Sequence, residues 1–157
     1  MSVVSRLGFT LVVLATACGD GATTPSTPAG QYALERAGGQ PLPGTVFDEL
    51  ISPGGTTPDF QLRIIVSSGS LTLADDGTYR HEMRFTSTID GVAQPSGVWG
   101  DHGRYTLAGD SVHFDSEFIQ NLAFAGAFAG GRLEIEHDLA VRLAGQGDPA
   151  RYAFARN

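Results

Sequence analysis

The sequence predicts an all-β fold, an antiparallel up-and-down β-barrel of eight to nine strands with little or no helix. Three observations carry this. Apolar and polar residues alternate with period two in segment after segment. Short Gly- and Asp-containing turns separate those segments, and they pair apolar positions face to face. After residue 30 no stretch shows a convincing 3.6-residue apolar period.

The clearest segment is Gly69–Phe85. Leu71 and Leu73 alternate with Ser70 and Thr72, and Tyr79, His81, Met83 and Phe85 alternate with Thr78, Arg80, Glu82 and Arg84. A two-residue Asp76-Gly77 loop would set Leu73 against Arg80 on one face. A three-residue Asp75-Asp76-Gly77 loop, with Gly77 left-handed, instead pairs Leu73 with Tyr79 and Leu71 with His81, so the three-residue loop is predicted.

Upstream, Gly30–Leu34 reads as a short strand with Tyr32 and Leu34 on one face, and Gly38–Pro43 as a turn. Thr45–Ile51 is a second strand whose inner face Asp48 and Glu49 leave open. Ser52–Asp59 is a loop. Phe60, Leu62, Ile64 and Val66 alternate on even numbers, whereas Leu71 and Leu73 are odd. Ser67-Ser68-Gly69 therefore marks a β-bulge or a break between strands.

Downstream, Ile89–Gly97 is expected to be a loop. Trp99, Asp101, Gly103, Tyr105 and Leu107 form the next inner face. Gly109-Asp110 pairs Leu107 with Val112 and Tyr105 with Phe114, and Gly130-Gly131 pairs Phe128 with Leu133. Ser116–Asn121 is a turn or a bent continuation. Leu133, Ile135, His137, Leu139, Val141 and Leu143 are expected to form one long strand. After a turn at Gly145–Pro149, Tyr152, Phe154 and Arg156 share a face of the last strand.

Neighbour-to-neighbour hairpins favour a barrel over an immunoglobulin-like sandwich, which remains the alternative. A membrane barrel is excluded. Arg80, Glu82, Arg84, His113, Asp115, Glu117, Arg132, Glu134 and Glu136 all fall on the outer face, where an Arg costs ~2–4 kcal/mol at mid-bilayer.

The beginning of the chain carries an export address. Met1–Arg6 has one positive charge, Leu7–Leu14 is apolar but too short to span a bilayer, and Ala15-Thr16-Ala17 precedes Cys18, the only cysteine. Leu14–Cys18 resembles the lipobox of bacterial lipoproteins, with Leu14 displaced by one position. The resemblance implies a signal peptide over 1–17 and acylation of Cys18 by palmitate-type chains. An A-x-A site for ordinary signal peptidase is the other reading. Gly19–Ala29, rich in Gly, Thr, Ser and Pro, is expected to be a flexible tether behind the lipidated cysteine, over 18–29 in all, and the barrel domain to span 30–157. Eleven residues of coil span roughly 18 Å.

Removing the signal leaves 140 residues (157 − 17), enough for one domain with no intrachain disulfide. Loss of Arg6 takes the formal charge from −7 to −8, and no lysine occurs anywhere. An acidic chain without a basic stripe argues against nucleic acid as a partner. The expected partners are a bilayer reached through acylated Cys18, a small apolar ligand and another envelope protein. The expected location is a bacterial envelope membrane, at the outer membrane or cell surface in a Gram-negative cell.

The opening Gly30-Gln31-Tyr32, the following Gly-Gly-Gln-Pro-Leu-Pro, the Gly-x-Leu-x-Leu-x-x-Asp-Gly-x-Tyr hairpin and the closing Tyr152-x-Phe154-x-Arg156 together resemble bacterial lipocalin-like domains of the calycin type. The resemblance covers Gly30 to Asn157. It implies that Tyr32 stands where lipocalins carry tryptophan on the first strand. Arg156, or Arg151, would be the arginine that packs over it and closes the barrel. It transfers no catalytic residue.

No sequence constellation specifies chemistry. Each of the four histidines has a carboxylate beside it or two positions away, but only His113 and Asp115 share a strand face, and two ligands are too few for a specific metal site. No Gly-x-Ser-x-Gly elbow and no phosphate-binding glycine loop is present, so neither an enzyme nor a cofactor is expected. His81, His137 and Asp101 fall on the inner parity. With Tyr79, Phe85, Trp99, Tyr105 and Phe114 they either complete a packed core or line a pocket for a small ligand. A packed interior would favour an interaction or inhibitor module that uses the loops Ser52–Asp59 and Ile89–Gly97.

Overall fold

The computed structural model describes residues 27–120 and 122–157. The expected signal peptide, Cys18 and the tether up to residue 26 lie outside the described residues. Thr27–Ala29, counted with the tether from the sequence, lie against the barrel, with Pro28 and Ala29 buried.

The strands run in chain order as β1 (Gly30–Ala37), β2 (Gln40–Pro41), β3 (Gly44–Ile51), β4 (Phe60–Leu73), β5 (Thr78–Ile89), β6 (Val92–Ala93), β7 (Gly97–Ala108), β8 (Ser111–Ser116), β9 (Ala123–Ala129), β10 (Arg132–His137) and β11 (Ala150–Arg156). One short helix, α1 (Leu139–Ala144), lies between β10 and β11. The sheet closes through β1–β11–β10–β9–β8–β7–β5–β4 and back to β1, giving an eight-stranded antiparallel barrel. That closure excludes the sandwich. β2, β3 and β6 are additions, pairing with β1, β4 and β5.

The predicted registers hold. Leu73 faces Tyr79 and Leu71 faces His81, and Gly77 takes φ +80° in the turn. Leu107 faces Val112, Tyr105 faces Phe114 and Phe128 faces Leu133. The parity change is a bulge inside one continuous strand. β4 shifts register between Val66 and Ser68, with the Ser67 hydroxyl donating to the Arg84 carbonyl. Ile64 and Val66 before it, and Leu71 and Leu73 after it, are therefore all buried. The same bend splits β4 between two partners, its first half with β3 and its second with β1.

Two expectations are corrected. The strand from Leu133 ends at His137, and Leu139–Ala144 is helical. Five of its six residues are good helix formers. Gly145 ends it in a left-handed conformation with its N–H on the Val141 carbonyl, and Asp138 pairs with Arg142 at 2.9 Å. Continuing the alternation would have required barrel partners beyond Ala150, where β11 begins. Ile89–Gly97 is likewise no plain loop. Asp90 (φ +49°) and Gly91 (φ +80°) form a tight turn that pairs Ile89 with Val92.

The main core fills the barrel with Tyr32, Leu71, Met83, Phe114, Leu133, Ile135, Tyr152 and Phe154 among its buried members. A second cluster, Phe47, Ile51 and Ile64, lies where β3 and the first half of β4 extend beyond the barrel toward α1.

Candidate functional site

β5 and β7 set the polar part of the interior. Their register places His81 opposite Asp101 and Met83 opposite Trp99. Asp101 is 3% exposed and accepts hydrogen bonds from Tyr79 Oη and Ser116 Oγ, each at 2.5 Å. Ser116 Oγ in turn accepts from the N–H of Ile119 at 2.7 Å and of Phe118 at 3.2 Å. A buried carboxylate thus anchors the Ser116–Gln120 turn. Burial and the hydrogen bond to Asp101 push the Tyr79 hydroxyl up, so it stays a donor. Ser116 was missed from sequence because its role depends on where β8 ends, not on strand parity.

His81 and His137 meet in an aromatic box. Their ring centroids are 5.6 Å apart, and Trp99 lies 5.0 Å from His81 and 4.5 Å from His137. Phe124 and Phe154 complete the contacts at 4.7 Å from His137 and 5.5 Å from His81. Burial, followed by the neighbouring His137, holds His81 well below the usual imidazole range. Burial also lowers His137 to about 4, against the opposing pull of Asp138 and Asp101. Both rings are therefore neutral at pH 7. His137 Nδ1 accepts from the Leu139 N–H at 2.9 Å, which puts the proton on Nε2. His81 Nδ1 and Nε2, His137 Nε2 and Tyr152 Oη have no protein partner.

Of the residues expected to line a pocket, Tyr79, His81, Phe114 and His137 are buried in the core, with Phe114 stacked 4.5 Å from Phe124. Trp99 is half-buried beside them. Tyr105 packs against the core at the Asp-Asp-Gly end of the barrel, half-buried, with its hydroxyl on the Ala74 carbonyl at 2.8 Å. Phe85 lies toward the opposite end, in a separate recess. There Phe60, Leu62, Ile64, Phe85, Ile89 and Leu143 surround about 280 Å³. Alternation alone does not gather these residues, because it predicts a strand where α1 brings Leu143 to the wall.

Tyr32 and Arg156 are direct cross-strand partners on β1 and β11. The Arg156 guanidinium reaches back to the carbonyls of Thr27 and Ala29, and Tyr32 Oη donates to the Pro28 carbonyl. Arg151 lies elsewhere, paired with Glu136 at 3.0 Å. Among the described residues no group of three His, Cys, Asp or Glu side chains is placed to hold a metal. His113 and Asp115 are exposed on the outer face of β8.

No family model, curated protein or solved structure matches the chain. The barrel is consistent with a lipocalin-like fold on its own geometry: eight antiparallel strands, closed between the first and last.

Proposed function

We propose that this protein is an exported lipoprotein, anchored to a bacterial envelope membrane through acylated Cys18, whose barrel holds a small, mainly apolar ligand at its α1 end. The observation that supports ligand binding is the recess of about 280 Å³ walled by Phe60, Leu62, Ile64 and Phe85, with Ile89 and Leu143 half-exposed at its rim. Its size is near the lower end for small-molecule sites, and its lining is mainly apolar, with Ser87 the one polar residue, as such sites require. The barrel centre is packed with aromatic rings, so the ligand position moves from the middle of the barrel to this end.

The anchor rests on Leu14–Cys18 alone. Each buried CH₂ of an acyl chain contributes ~0.8 kcal/mol, and two or more chains hold stably. Intact mass of the membrane-extracted protein should show diacylglyceryl and amide-linked acyl groups on Cys18. An unmodified Cys18 at the mature start would remove the anchor from the proposal.

An anilinonaphthalene sulfonate tests the recess. The protein should enhance its fluorescence, and Leu143→Glu, which puts a charge of the probe's own sign at the rim without entering the barrel core, should weaken binding at least tenfold with unfolding unchanged. Equal binding by the variant would exclude the recess.

The packed core supports a second reading, an envelope interaction or inhibitor module that binds no small ligand.

A further inference from the structure

β3 is an edge strand, and its free side faces a groove. Along Phe47–Ile51 it pairs only with β4. The orientation of its backbone is fixed by two neighbours. Gln61, opposite Leu50, spends its N–H and C=O on Asp90 in the turn after β5, so neither is available to Leu50. The Leu50 carbonyl instead accepts from Gln146 Nε2 at 3.0 Å, on the side away from β4. In an antiparallel pair a residue's N–H and C=O point the same way and the direction repeats every second residue. The N–H groups of Leu50 and Asp48 and the Asp48 carbonyl therefore point off the sheet, where no strand of the described residues pairs with them.

The groove beyond that edge has a volume of about 570 Å³, with β3 on one side and the start of β11 and the end of β10 on the other. Asp48, Glu49, Glu136 and Asp148 line it, with Arg151. Arg151 is engaged by Glu136 at 3.0 Å, and Asp48 is paired with Arg63 at 3.6 Å. Glu49 and Asp148 make no ion pair among the described residues, so the groove keeps a surplus of negative charge.

We propose that the free edge of β3 docks an extended, basic segment of a partner protein, which adds to the sheet as a further strand in this groove. Open backbone donors and acceptors select an extended chain, as in β-strand addition generally. The surplus carboxylates select arginine or lysine on that chain. A second copy of this protein fits poorly, because a two-fold antiparallel pairing of β3 centred on this stretch sets Asp48 against Glu49 of the copy twice over. Five residues of β3, Thr45–Glu49, line the groove, with Leu50 at its border, and give a docking length of about 16 Å. The inference is independent of the apolar recess and of the anchor, and its test leaves both untouched.

The probe is a labelled Arg-Val-Arg-Val-Arg-Val peptide with blocked ends, compared with its Glu-Val counterpart, against the purified protein at low and at 150 mM salt. The basic peptide should bind and the acidic one should not. Amide hydrogen exchange at Asp48 and Leu50 should slow at least tenfold in the complex. Leu50→Pro removes one edge donor at a position where an edge strand tolerates proline, and it should weaken binding at least tenfold. Glu49→Lys combined with Asp148→Lys should do the same. Absence of binding overturns the proposal. So does binding that the charge variant abolishes while the Asp48 and Leu50 amides exchange at their free rate, since that is adsorption without strand addition. Should Leu50→Pro fail to fold, the exchange rates of the parent decide the matter.

Discussion

His137 Nδ1 accepts a hydrogen bond from the Leu139 N–H at 2.9 Å, joining the last residue of β10 to the first residue of α1. That bond needs the Nδ1 lone pair, and therefore a ring that carries no second proton. The same ring is 1% exposed and lies between Trp99 and Phe124. The end of the barrel is consequently sensitive to acid.

The sign follows from linkage. His137 has a folded pKa of about 4 against an ordinary 6.5, and His81 is lowered as well. Between those values the unfolded chain binds protons that the folded chain refuses, so stability is complete above pH 6.5 and falls as the pH drops toward 4. For His137 the loss amounts to about 3 kcal/mol. Urea unfolding at pH 7.5, 5.5 and 4.5 should show it. His137→Asn keeps an acceptor for Leu139 and cannot titrate, so its pH dependence should be shallower. Identical slopes for parent and variant would remove His137 as the source.

His81 presents the opposite case. Neither ring nitrogen has a protein partner, so an apolar side chain of similar size removes a desolvated polar group without orphaning another. His81→Leu should match or exceed the parent in unfolding midpoint. A loss above about 1 kcal/mol would show that the ring nitrogens are satisfied in solution.

Asp101 differs because it has two donors. Asp101→Ala strands the Tyr79 and Ser116 hydroxyls in the interior and should cost about 2–3 kcal/mol or more. Adding Tyr79→Phe removes one of the stranded groups, so the double variant should lose less than the sum of the singles. Strict additivity would mean that the two side chains do not act together.

Gly77 tests the turn. Its φ of +80° is one a β-branched residue resists, and Gly77→Val should destabilise by roughly 1–2 kcal/mol. Thr72→Val, on the outer face of the same hairpin, should change little. Equal effects would contradict the register that places Leu73 opposite Tyr79.

The sequence by itself determined the barrel's strands and their pairing wherever alternation and turn length had to agree. Leu73 and Tyr79, Leu107 and Val112, and Phe128 and Leu133 pair as face matching requires, because a slip of one residue would turn a whole apolar row to water. Only the tertiary structure decided the rest. Leu139, Val141 and Leu143 alternate like a strand, yet no neighbouring strand is there to pair with them, since β10 and β11 part at His137 and Ala150. The segment satisfies its backbone internally, as a helix stopped by Gly145. The parity change marked a bulge or a break at Ser67–Gly69, but that β4 runs on through it, takes two partners and leaves β3 with one open edge is set by tertiary pairing. The apolar recess needs Phe60, Phe85 and Leu143, which are far apart in sequence and are brought together by that bend and that helix. The unpaired nitrogens of His81 have the same origin. Parity places the ring inside, but whether a partner meets it depends on which side chains arrive from β7, β10 and β11.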